Sequence, residues 1–154
     1  MSRAFTREPD DDQAPLPERA LSTHPNLVTP EGLATLETRA RSLEEQRQAA
    51  RAAADRTLLK RIERDLRYFT QRLASARVVA PAAQADRVRF GVRVTLAGAD
   101  GLKRSYRLVG EDEADAARGL VSWVSPLAQA LLGQAVGDTV RFQEGELEIL
   151  LIEP

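Results

Sequence analysis

From Leu33 to Ala80 the chain runs without a single Gly or Pro, and no other stretch constrains the fold so strongly. Within it, apolar or small residues recur at Leu33, Leu36, Ala40, Leu43, Ala50 and Ala54, with Arg47 interrupting. A second series follows at Leu59, Ile62, Leu66, Phe69, Leu73 and Ala76. Both advance by threes and fours, the spacing of a coiled-coil seam. Thr29, Pro30 and Glu31 form the start signal: a hydroxyl to cap, a proline for the first helical position, and an acid in the first turn. A single rod would leave its apolar stripe bare unless the protein dimerised, whereas a hairpin buries the stripe within one chain. Setting Leu33 opposite Leu73, Leu36 opposite Phe69, Ala40 opposite Leu66 and Leu43 opposite Ile62 is one antiparallel register. It puts the hairpin over residues 27–79 with its tip near 52–56, where Asp55 is placed to cap the second helix.

Residues 1–26 hold four of the eight prolines and an acid run, Asp10 to Asp12, and carry no hydrophobic period. They are expected to form a flexible leader. The only histidine, His24, falls there and reads as a solvated loop residue.

Residues 80–154 change character. Val88, Phe90, Val92, Val94 and Leu96 alternate with Arg87, Arg89, Arg93 and Thr95, the two-residue period of a half-buried strand. Asp100–Gly101 is a hairpin turn, and KRSYRLVG reads as the partner strand. Leu120–Val124 is predicted as a short strand, and Pro126 opens a brief helix that Gly133 stops. TVRF and GELEILLI are predicted to close the sheet. The expected class is α+β: an antiparallel helical hairpin, then an antiparallel sheet domain with one short helix.

Charge is unevenly spread. Residues 51–77 carry eight Arg or Lys against Asp55, Glu63 and Asp65, while residues 81–154 carry eight basic against eleven acidic residues. A basic element is thus joined to a mildly acidic body. The absence of Cys excludes disulfides and thiol chemistry. No apolar run has the length of a membrane span and no signal-peptide pattern is present, so the sequence predicts a cytoplasmic protein with no membrane partner.

Four stretches carry a family likeness: LVTPEG at 27–32, VGEDEAD at 109–115, GLVSWVSPLAQALLG at 119–133 and VGD at 136–138. Together they resemble the GreA/GreB transcription elongation factors, and the leader MSRAFTRE resembles the GreB side. The resemblance implies a coiled-coil hairpin followed by an FKBP-like domain that docks at the secondary-channel rim of RNA polymerase. The hairpin would project toward the polymerase active site, where two tip acids help hold a catalytic Mg²⁺. The factor would be no enzyme by itself and would hold no cofactor or metal of its own. Ser125 and Pro126, preceded by Trp123 and Val124, match the family's polymerase-docking segment. An acid usually precedes that Ser-Pro, and here Val124 stands in its place.

The tip departs from the pattern. Cleavage-stimulating members carry a motif like G-D-x-x-E-N-A-x-Y, whereas this chain reads AAADRTLLKR, with Asp55 alone and Leu58 where the partner Glu belongs. The hairpin is also shorter than the family pattern by roughly 18 residues, about nine per arm, which removes roughly 13 Å of reach. The expectation is a Gre-type regulator with weak or absent cleavage stimulation, Asp55 being the one weak catalytic candidate. Arg56, Lys60, Arg64 and Arg67 share one face of the second helix. That face suits either nascent RNA or DNA in the elongation complex, or plain solvation with Glu44 and Glu45 as cross-helix partners. The alternatives are an active cleavage factor with an atypical tip, a prolyl isomerase built on the FKBP-like domain, and a binding module for a partner other than polymerase.

Overall fold

The structure is a computed structural model that describes residues 14–154. The acid run Asp10–Asp12 therefore lies outside the described residues.

The Gly- and Pro-free stretch folds as two helices, α1 (Pro30–Ala52) and α2 (Arg56–Ser75). Thr29 caps α1, its hydroxyl oxygen accepting from the Gly32 N–H at 3.0 Å with Pro30 opening the helix. Asp55 caps α2, a carboxylate oxygen accepting from the Leu58 N–H at 3.0 Å. The seam follows the three–four spacing: Leu36, Leu43, Ala50 and Ile62 are buried, with Leu59, Leu66 and Phe69 packed against the Leu43–Ala50–Ile62 cluster. Between the helices, the Asp55 N–H donates to the Ala50 carbonyl and the Ala54 N–H to the Arg51 carbonyl. This is a Schellman ending, whose C′ position normally takes Gly in the left-handed region. Here Ala54 occupies it at φ 54°. An L residue there costs about 1–2 kcal/mol. Ala54→Gly is accordingly expected to raise stability by roughly 1 kcal/mol, read as a higher urea midpoint with an unchanged slope.

Two short strands, β1 (Leu27–Val28) and β2 (Arg77–Val78), pair in parallel and close the root of the hairpin. Asn26, buried beside them, donates through its amide to the Arg72 carbonyl at 2.7 Å and to the Ser75 hydroxyl at 3.2 Å.

The body is a five-stranded sheet of β3 (Arg93–Gly98), β4 (Lys103–Val109), β5 (Leu120–Ser122), β6 (Thr139–Phe142) and β7 (Gly145–Glu153), in the order β5-β4-β3-β7-β6. Helix α3 (Pro126–Leu131) sinks Ala128 and Leu131 into a core with Val94, Leu96, Leu108 and Ile149. Two details differ from the sequence reading. The alternation that starts at Val88 does not form one strand, because Gly91 turns at φ 90° and regular pairing begins only at Arg93. Val88 and Val92 still reach the core from either side of that turn. The sheet is mixed, not wholly antiparallel: β5 pairs with β4 in parallel. The ten residues between them make two short 3-10 turns, Glu111–Glu113 and Ala116–Arg118, and supply the crossover that a parallel pair requires. No helix of the described residues is long and apolar enough to cross a membrane.

Candidate functional site

At the far end of the hairpin, Ala52, Ala53, Ala54 and Leu58 are exposed around Asp55. The next acid along α2 is Glu63, two turns away, and Arg51 of α1 holds it at 3.2 Å. Asp55 thus stands as a lone carboxylate already engaged as a cap. A hard divalent cation collects several oxygen ligands, commonly more than one carboxylate. Among the described residues, no group of three or more His, Asp or Glu side chains is arranged to hold a metal ion.

The predicted basic face divides in two. Toward the root, Arg64 donates to the Asp65 carboxylate at 3.0 and 3.2 Å. Arg67 grips Glu18 through contacts of 2.5 and 3.1 Å. Hydrogen bonds from Arg67 hold the Glu18 carboxyl below the usual range, and Glu18 in turn raises the guanidinium. Arg56 and Lys60 lie nearer the tip. Glu44 pairs with Arg47 on its own helix, and Arg51–Glu63 is an ion pair between the two helices. The described part of the leader lies on α2. Arg19 sits 3.9 Å above the Tyr68 ring and 3.6 Å from Asp65, and His24 meets the Trp123 ring edge-on at 6.1 Å.

Where hairpin meets body, three consecutive acids from the VGEDEAD stretch do the joining. Arg72, 3 % exposed, donates to Asp112 at 2.5 Å and faces Glu111 at 3.6 Å. The Tyr68 hydroxyl donates to the other Asp112 oxygen at 2.6 Å, and burial together with that bond pushes its phenol up to about 12. Glu113 accepts from the Thr29 and Gly110 N–H groups at 3.0 and 2.9 Å, and from the Thr29 hydroxyl. A Cβ on Gly32 would collide with that carboxylate. Of these side chains only Thr29 was singled out from the sequence, and as a cap and not as a contact to the body; Tyr68 and Arg72 were not, and the three acids stood only within the VGEDEAD stretch. The available signal was an Arg next to the seam residue Leu73 and a run of acids directly after an apolar strand.

On the body, the four predicted docking residues are contiguous but unlike one another. Ser125 caps α3 by accepting from the Ala128 N–H at 3.3 Å, and Pro126 is exposed. Trp123 is half-buried, its backbone N–H donating to the Val109 carbonyl at 2.9 Å and its own carbonyl accepting from the Gln129 amide at 2.8 Å. Val124 is also half-buried. Trp123 and Val124 therefore form no protruding apolar anchor. The next residue, Leu127, lines a cleft of about 410 Å³ with Leu96, Leu102, Tyr106, Phe142 and Leu147, and Arg104 and Glu144 add charge to its wall.

Comparison with known proteins bears on what this arrangement is. The family model "Transcription elongation factor, GreA/GreB, C-term" matches residues 83–154. GreB of Xanthomonas axonopodis pv. citri is 42% identical over 133 residues, covering 73% of this chain and 79% of that protein. The chain belongs to the GreA/GreB family. GreB of Neisseria meningitidis serogroup A is 41% identical over 101 residues, and the match spans 62% of each protein. Among solved structures, GreA factor homolog 1 of Thermus thermophilus aligns over 85% of this chain and 100% of its own, at 21% identity and a TM-score of 0.42. Within the family frame, the helical hairpin and the sheet domain are the two expected parts, and the acid-run junction is what joins them.

Proposed function

We propose that this GreA/GreB-family chain binds RNA polymerase at its secondary-channel rim and occupies the channel without stimulating transcript cleavage. The observation that carries the reading is the tip: one carboxylate, Asp55, spent on capping α2, with exposed Leu58 where a second acid would be needed. A donated Mg²⁺ held between polymerase and factor needs added negative charge and fixed geometry. The tip offers neither, and the shortened arms carry it less far. Docking falls to the α3 side of the body. There Pro126 is exposed, and the cleft lined by Leu127, Tyr106 and Phe142 can take an apolar side chain of the rim. The basic residues Arg56, Lys60, Arg64 and Arg67 face the phosphates of nascent RNA or DNA in the elongation complex. The chain acts in the cytoplasm, as a ligand of the enzyme and not as a catalyst.

The test uses backtracked elongation complexes of the cognate polymerase, with the protein alone and then with a cleavage-competent Gre factor. The expected result is no cleavage alone and inhibition of the second factor. Asp55→Ala is expected to lose about 1 kcal/mol of stability through the missing cap and to leave both readouts unchanged. Cleavage by the protein alone that disappears in Asp55→Ala would overturn the proposal.

A further inference from the structure

A recess of about 440 Å³ lies between the described leader and the end of α2. Its polar wall includes Ser22, His24, Gln71, Ser75 and Arg77, and no carboxylate lines it. Arg72 borders it too, but Asp112 and Glu111 meet that charge. Arg77 is different: it is exposed on β2, and no acid among the described residues pairs with it. The recess therefore holds a positive charge with no acid to answer it. The leader that forms its outer wall is pinned on both sides of His24. Asn26 donates to the Arg72 carbonyl and the Ser75 hydroxyl, and Arg19 lies 3.6 Å from Asp65. The imidazole is oriented as well. The Ser22 hydroxyl oxygen accepts from the His24 backbone N–H at 3.2 Å, which leaves its own proton for His24 Nδ1, also at 3.2 Å. With Nδ1 filled in this way, the ring proton sits on Nε2. Nε2 has no partner among the described residues. The same ring meets Trp123 edge-on, so the recess adjoins the Trp123–Pro126 segment.

We propose that this recess takes a carboxylate side chain of the docked protein, with Arg77 as its counter-charge and the His24 Nε2–H as its hydrogen-bond donor. The proposal rests on the reading that Trp123–Pro126 faces polymerase, and it names the chemistry of the neighbouring contact as an acidic residue of the rim. Arg77 can grip a carboxylate through two parallel N–H groups, and the imidazole adds a third bond from a fixed direction. A charge pair of this kind at an interface edge sets partner choice and register more than raw affinity. A nucleic-acid phosphate carries the same sign of charge. The recess, however, adjoins the body's docking segment and not the tipward cations, so the occupant is a protein carboxylate.

The test measures binding of the full chain to core RNA polymerase for the parent, Arg77→Glu, His24→Phe and His24→Gln. Arg77→Glu is expected to weaken binding by about tenfold or more, and His24→Phe by about fivefold. Phe keeps a ring against Trp123 but has no donor. Gln returns an N–H near the Nε2 position, and His24→Gln is expected to bind within about twofold of the parent. Both positions are exposed, so the urea midpoint of each variant should match that of the parent. Parent-like binding by Arg77→Glu overturns the inference, and so does an equal loss in His24→Phe and His24→Gln. Unchanged polymerase binding by Arg77→Glu with weakened binding of a single-stranded RNA oligonucleotide would make the recess a phosphate site and overturn it too. If the parent chain fails to bind polymerase at all, the channel-rim reading falls and takes this inference with it, an outcome distinct from the other three.

Discussion

Asp112→Ala is expected to cost about 3–5 kcal/mol, the penalty for removing one partner of a buried ion pair. Arg72 is 3 % exposed and its short contact is to Asp112. Its distance to Glu111 is 3.6 Å, and the Arg72 Nη2 and Glu111 Oε2 atoms lack hydrogen-bond partners among the described residues. Truncation of Asp112 would leave the guanidinium in a nearly dry site with one weak counter-charge, and would orphan the Tyr68 hydroxyl as well. The loss should be read from urea unfolding followed by Trp123, the only tryptophan, which lies against the leader's His24. A paired replacement that removes both charges, Arg72→Met with Asp112→Leu, is expected to recover most of the stability. If Asp112→Ala shifts stability by less than about 1 kcal/mol, the ion pair is not what seats the hairpin.

Gly110→Ala is expected to unseat the hairpin by a different route. A Cβ at this position would press into the Leu27 carbonyl oxygen, a backbone atom of β1, and would lie 2.7 Å from a Glu113 carboxylate oxygen. The backbone there has an ordinary φ of −65°, so the cost is steric and not conformational. Relief requires β1 to move away. That breaks the Glu113 bonds to Thr29, of which the backbone one alone is a charge-assisted contact worth about 1.5–3 kcal/mol. We expect a total loss of about 3 kcal/mol or more. Proteolytic cutting between residues 79 and 92 should rise sharply while the sheet domain survives. Gly110→Ser should behave as badly, because it adds the same Cβ. Equal protease resistance in Gly110→Ala and the parent chain would contradict the tight seat.

The features legible in the sequence are those set by short-range patterns. Helical period placed Leu36, Leu43 and Ile62 in the seam, and the Thr29 and Asp55 side chains cap the two helices through bonds to residues three along. What escaped was set by distance along the chain. Arg72 and Asp112 are forty residues apart, and Thr29 and Glu113 eighty-four. No local period relates them, and a run of acids after a strand reads equally well as solvated surface. Gly91 was hidden inside an otherwise faithful alternation, because Val88 and Val92 face the core on both sides of the turn. The leader escaped because its hold on α2 comes from a stacked Arg and two ion pairs, not from apolar spacing. The lone tip acid was legible outright, since the absence of a second carboxylate at position 58 is a matter of identity and not of geometry.

The junction's anchor points on the hairpin are confined to its root: Thr29 and Gly32 at the start of α1, Tyr68 and Arg72 in the closing turns of α2. Nothing beyond them toward the tip touches the sheet domain through a bond of this kind among the described residues. Aim and reach are therefore encoded by separate residues. Matched turns can be added to or deleted from both arms, or a new tip grafted between them, and the hairpin will leave the body at the same angle. A lineage can change what its probe does at the far end while its hold at the near end stays as it was.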